Sequence, residues 1–161
     1  MTVGNARQPF GRLLRAVAAV VDELPQPVFV QSGTTAFEDD RCEIVPFLTM
    51  REFERRIAES SLTIMHAGAG SVIHAVQAGK VPVVMPRLAS EGEHVDSHQA
   101  EFARELARVG RIVMIDQAAA LPAAAREALA RQATARASAS PPPMVAMIAS
   151  VLRGCAGGSG R

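Results

Sequence analysis

Apolar residues return at steps of three and four through residues 9–24, where Phe10, Leu13, Leu14, Val17, Val20, Val21 and Leu24 share one side. That spacing predicts a helix with one buried face. Pro9 suits its first turn and Pro25 its end. Two compact apolar runs follow, VFVQSG from Val28 and CEIVPF from Cys42, each of strand length. A short helix over 50–59 then leads into LTIM, and HAGAGSVIHAVQAGKVPVV reads as a glycine turn, a helix, a second turn and a strand. VPVVM is that strand, a helix spans 95–109 with Val95, Gln99, Phe102, Ala103 and Leu106 on one side, and RIVMI is a further strand. An Ala-rich helix over 121–135, a SASPPP break, a last apolar helix over 144–152 and the tail GCAGGSGR complete the pattern.

With the short TV of Thr2 and Val3 as a first strand, the order opens β-α-β-β-α-β and continues to alternate. Alternation of this kind predicts an α/β fold, a Rossmann-like mostly parallel sheet with helices on both faces. We expect one domain over 1–153 and a disordered tail over 154–161, which has nothing to bury.

Composition narrows the function. Charged residues make up 20% of the chain and the net charge is +1, without the basic excess that nucleic-acid binding requires, so no nucleic acid is expected as a partner. Cys42 and Cys155 give neither a disulfide framework nor zinc spacing, which fits a reducing cytoplasmic setting. No secretory signal is read at the start, and no apolar stretch approaches the ~18 residues of a membrane span. Membrane contact is therefore expected to be peripheral or through a partner.

In an α/β sheet ligands bind beyond the carboxyl ends of the strands, which directs attention to two clusters. In HAGAGS, Gly68 and Gly70 are candidates for positive φ and close ligand approach, with Ala69 between them, and Ser71 opens a helix whose free amides and dipole favour an anion. A phosphate would fit there; a bare strand-to-helix turn is the alternative. The second cluster, PRLASEGEHVDSHQ, carries Arg87, Glu93, His94, Asp96, His98 and Gln99. Asp96 and Gln99 have the spacing of a capping box. His94 and His98 near Asp96 admit a metal reading, but no third and fourth ligand stands at recognisable spacing, so no metal site is expected. Hydrogen bonding to a polyol fits better, with Arg87 neutralising a diphosphate or an acidic substituent.

These motifs also carry a resemblance. TVGNARQPFGRL, HAGAGS, AGKVPVVMPR and GEHVDSHQ, in this order, resemble the C-terminal, donor-binding half of the family 28 glycosyltransferases over roughly residues 2–116. They resemble most closely the small stand-alone chains of bacterial exopolysaccharide synthesis, whose acceptor-binding half is a separate, membrane-associated protein. The resemblance implies half of a GT-B enzyme that takes a UDP-sugar and inverts the anomeric carbon, with no cofactor and no obligatory metal. It implies a hexosyltransferase subunit active only with its partner chain, transferring a hexose or uronic acid to a lipid-linked saccharide. The setting implied is the cytoplasmic side of the plasma membrane, reached through the partner. By position, Gly4 and the backbone of Gly68 to Ser71 would face the diphosphate, and Gln99, Asp96 and His98 the sugar hydroxyls. The acceptor-activating base is expected on the partner, with His66 as a local candidate and a backbone-bonded strand end as its plainer role.

Two departures from the family pattern stand out. His74 occupies the position of a ribose-binding glutamate, and an imidazole cannot give a carboxylate's bidentate acceptance. Relatives enter TVG through several apolar residues, whereas Met1 precedes it here, so either the start lies upstream or the first strand is truncated and the turn at Gly4 poorly held. Two other functions are weighed: a non-catalytic nucleotide-binding subunit that stabilises or regulates a partner glycosyltransferase, and a dinucleotide-binding redox domain. The second lacks GxGxxG in its first turn.

Overall fold

The computed structural model describes residues 1–95 and 98–137. Helix α1 spans Gly11–Ala19 and buries Leu13, Leu14, Ala16 and Val17. It is shorter than the periodicity predicts. Phe10 stands outside it with its amide bonded to Thr35 Oγ1, and a 3-10 turn over Val21–Glu23 replaces the last predicted turn. Strands β1 (Val28–Gln31) and β2 (Cys42–Val45) follow, then α2 over Met50–Glu59, as predicted. Thr49 begins α2 with a reciprocal capping box to Glu52. The remaining elements are β3 (Ile64–His66), α3 (Ala69–Gln77), β4 (Val83–Met85), α4 (His98–Arg108), β5 (Val113–Met114) and α5 (Leu121–Ala137).

All the strand pairs are parallel. The predicted first strand is instead a single-residue bridge: Thr2 pairs with Gln31 of β1 on one side and Met65 of β3 on the other. The sheet therefore runs β2, β1, residues 1–3, β3, β4, β5. Counting residues 1–3 as the first strand, this is the doubly wound order of dinucleotide-binding folds.

Strand side chains alternate between two cores, as the pleat requires. Ile64, Val83 and Met85 join Leu13, Leu14 and Val17 of α1 and the small residues Ala124, Ala125 and Ala128 of α5. Met65 and Val84 join Ile57 of α2, Val72 and Val76 of α3 and Phe102 and Leu106 of α4. Helices thus cover both faces. The predicted helix over 144–152 and the tail lie outside the described residues, and no helix among the described residues is long and apolar enough to cross a membrane.

Candidate functional site

The chain order reverses between residues 1–3 and β3, and in such sheets the ligand crevice opens at that reversal, beyond the strand ends. Here that position is where Gly4 meets the turn after His66. Gly4 has φ +75, and a Cβ there would fall 2.4 Å from His66 Cε1. A Cβ at Gly68 would fall 2.2 Å from His66 Nε2. The imidazole therefore rests between two backbones that only glycine permits. This differs from the expected reason for the glycines. Gly68 has an ordinary φ of −69, Gly70 lies within α3 and is not among the positive-φ residues, and a Cβ at Gly70 meets nothing within 4 Å.

Helix α3 offers its amides to this crevice. Its first backbone bond runs from Val72 N–H to the Gly68 carbonyl, so the amides of Ala69, Gly70 and Ser71 precede the intrahelical ladder. Gly68, as N-cap, provides no side-chain acceptor. Gly70 is exposed, and Gly68, Ala69 and Ser71 are half-buried. Three donors at the positive end of a helix dipole form an anion-binding arrangement. Beside them His66 is only 8% exposed, and its Nδ1 has no hydrogen-bond partner among the described residues. Burial first, and the nearby Arg87 charge second, push its pKa from 6.5 down to about 4. The imidazole is thus neutral at pH 7, able to donate from one nitrogen but a weak proton acceptor.

Residues not assigned from the sequence hold the turn in place. Gly4 N–H donates to Thr2 Oγ1, which is hydrogen-bonded to Gln31 Oε1, while Gln31 Nε2 donates to Asn5 Oδ1 at 2.8 Å. The Gly4 turn is therefore well held, although its strand is reduced to a bridge. A glutamine closing the otherwise apolar VFVQ was the available signal, since a polar residue there must be satisfied by the neighbouring strand.

The second cluster behaves differently from expectation. Arg87 is 1% exposed; its guanidinium donates to the carbonyls of Gln8, Glu93 and Val3 and stacks 4.7 Å from the Phe10 ring centroid. Glu93 is 6% exposed and accepts from Arg12 through both oxygens and from Leu88 N–H. Arg12 also reaches the carbonyls of Pro86 and Asp116. Arg87 and Glu93 therefore clasp the strand-end loops together, and the buried Nε of Arg87 is left without a hydrogen-bond partner among the described residues. The reason is distance along the chain: the carbonyls of Val3 and Gln8 reach Arg87 only after folding.

Other candidates lie closer to the crevice. Gln99 Oε1 is 3.4 Å from Arg87 N–H, at the end of β4 beside β3. His94 is half-buried and near enough to His66 to help lower its pKa. His74 faces α2, with Nδ1 3.9 Å from Glu54 Oε1 and its ring edge-on to Phe53. Asp96 and the side chain of His98 lie outside the described residues, and with them the capping box and the histidine-pair metal reading. Among the described residues no three His, Cys, Asp or Glu side chains are grouped to hold a metal ion.

Comparison with known proteins bears on the fold and the family. A glycotransferase of kitacinnamycin superposes with a TM-score of 0.62 at 17% identity, covering 96% of this chain and 39% of that one. MurG of Acinetobacter baumannii superposes with a TM-score of 0.55 at 20% identity, covering 94% and 49%. The chain thus spans less than half the length of either. No curated protein matches it. The sheet is of the kind that forms the C-terminal half of a GT-B glycosyltransferase. The model of the glycosyltransferase family 28 C-terminal domain matches residues 2–142, and the chain belongs to that family.

Proposed function

We propose that this chain binds the donor for an inverting glycosyltransferase that moves a hexose or uronic acid from a UDP-sugar to a lipid-linked saccharide in exopolysaccharide synthesis. The observation that carries the reading is the group of three amides at the α3 N-terminus beside a neutral His66 whose Nδ1 has no hydrogen-bond partner among the described residues. In inversion the acceptor oxygen attacks the anomeric carbon as the carbon–oxygen bond to UDP breaks, and the electron pair leaves on the β-phosphate. Amides of Ala69, Gly70 and Ser71 would stabilise that growing charge, and His66 would add a donor without a positive charge. Gln99 and His94, with Asp96 and His98 on the family pattern, are assigned to the sugar hydroxyls, and His74 to the ribose.

A base is still required to take the acceptor proton. With a pKa of about 4, His66 suits that role poorly. We assign the base, and the acceptor, to a membrane-associated partner chain. That chain would hold this one at the inner face of the plasma membrane and close the crevice against water.

Calorimetric titration of UDP and of UDP-glucose, UDP-galactose, UDP-glucuronate and UDP-N-acetylglucosamine tests the reading, with the chain alone and with its partner. We expect UDP to bind and Gly70→Glu to weaken it at least tenfold, because that side chain has room and brings a carboxylate to the anion site. No UDP binding even with the partner present would refute the proposal. Transfer that persists in the complex after Gly70→Glu would favour the rival reading, a nucleotide-binding subunit that only stabilises or regulates its partner.

A further inference from the structure

Beside the Gly4 turn stand two buried polar side chains, Gln31 at the end of β1, 3% exposed, and Thr2, 4% exposed. Their bonds run in one direction. Gly4 N–H donates to Thr2 Oγ1 at 3.0 Å, the Thr2 hydroxyl donates to Gln31 Oε1, and Gln31 Nε2 donates to Asn5 Oδ1 at 2.8 Å. A hydroxyl has one proton and an amide has separate donor and acceptor ends, so this is the order in which each buried group is used. Turning the Gln31 amide over would leave the Thr2 proton without an acceptor among these groups, and would turn Asn5 to present its oxygen instead. With Oδ1 held by Gln31, the outward end of the exposed Asn5 side chain is Nδ2, which carries two N–H donors. The chain just beyond is pinned as well, because Thr34 Oγ1 donates to the carbonyls of Ala6 and Arg7 at 3.2 and 3.1 Å.

We propose that Asn5 Nδ2 is a donor to a two-phosphate ligand, and that Gln31 is the positioning residue that keeps this end of the amide toward it. The inference rests on the anion site proposed at α3. The His66 ring lies between Gly4 and Gly68, so Asn5 adjoins one wall of the cradle and Ala69 the other. Helix amides and the Asn5 amide would then meet neighbouring phosphates from opposite sides of one imidazole. An N–H given to a phosphate oxygen is a charge-assisted bond, and the relay behind it polarises the donor. It also sets the amide before the ligand arrives, which lowers the ordering cost of binding.

The test titrates UDP into nitrogen-15-labelled chain with its partner, follows the Asn5 side-chain NH2 by NMR, and measures affinity by calorimetry for the unaltered chain, Asn5→Asp and Gln31→Met. In the unaltered chain we expect the Asn5 NH2 signals to shift saturably with UDP. Asn5→Asp, at an exposed position, still accepts from Gln31 but turns a carboxylate oxygen to the phosphates, and should weaken UDP about tenfold. Gln31→Met keeps the shape of the side chain and removes the bond that orients Asn5. It should weaken UDP about threefold and halve the Asn5 NH2 shift at saturation, roughly as a freely turning amide would. Unmoved Asn5 NH2 signals and undiminished affinity in Asn5→Asp, while the α3 amides shift, would overturn the inference and leave the α3 site standing. An unchanged Asn5 shift and affinity in Gln31→Met would overturn the role of Gln31. No UDP binding at all would overturn both this inference and the site on which it rests.

Discussion

Two strand ends that look alike in sequence do opposite things in the fold. After β3, the turn from His66 to Ser71 leaves three helix amides outside the ladder and a buried imidazole nitrogen unpartnered. After β4, the loop carrying Arg87 and Glu93 has the denser charge, yet those side chains are bound to Arg12 and to backbone carbonyls, with only Arg87 Nε left over. A ligand is attracted by groups whose bonding capacity is left over, and polar density alone does not measure that remainder. The contrast is the ground on which we propose the first end as the anion site and the second mainly as structural closure.

The largest test of this contrast is Arg87→Ala. It strips a donor from three carbonyls beside a buried Glu93, and we expect a loss of about 4 kcal/mol by urea denaturation. Arg87→Lys should lose much of the same stability, since one ammonium cannot span the same fork. Unchanged stability with lost UDP binding would return Arg87 to the ligand.

Acid titration tests the first end. His66 binds its proton at about pH 4 when folded and near 6.5 when unfolded, so between those values the unfolded chain holds more protons. Its contribution is fully present above pH 6.5 and is lost as pH falls toward 4, by roughly 3 kcal/mol. Melting curves of His66→Gln should show a flatter acid limb; an unchanged limb would mean that the imidazole is not buried as a neutral group.

Glycine substitutions sharpen the picture within a single turn. Gly68→Ala drives a methyl group into the His66 ring and should cost about 2 kcal/mol. Gly70→Ala meets open space in a helix and should leave Tm unchanged or raise it slightly. Equal effects at the two positions would contradict the cradle around His66. The smallest effect is expected at His74, whose contact with Glu54 lies at 38% and 53% side-chain exposure. His74→Ala should move stability by under about 0.5 kcal/mol.

How much of this was legible follows the reach of each interaction. Helix α2 matched its predicted bounds because its apolar spacing and the Thr49–Glu52 box are local. Helix α1 lost its predicted first turn to Thr35, which is distant in sequence. The glycine turn could be read from its own residues as a candidate anion site or a bare turn, but the need for glycine at 68 comes from the ring of His66, and the anchoring of Arg87 from the carbonyls of Val3 and Gln8, distant in sequence. Gln31 was visible as a polar residue in an apolar strand, while its partners Thr2 and Asn5 became apparent only once the segment before Gly4 was seen between β1 and β3.

The central claim is that phosphate oxygens sit on the amides that open α3. It is tested most directly by titrating UDP into uniformly nitrogen-15-labelled chain with its partner and following each backbone amide by NMR. The account predicts saturable shifts that are largest at Ala69, Gly70 and Ser71, extend to Gly4 and His66, and disappear in Gly70→Glu. Saturable shifts centred on the loop carrying Arg87 and Glu93, with the α3 amides unmoved, would contradict it.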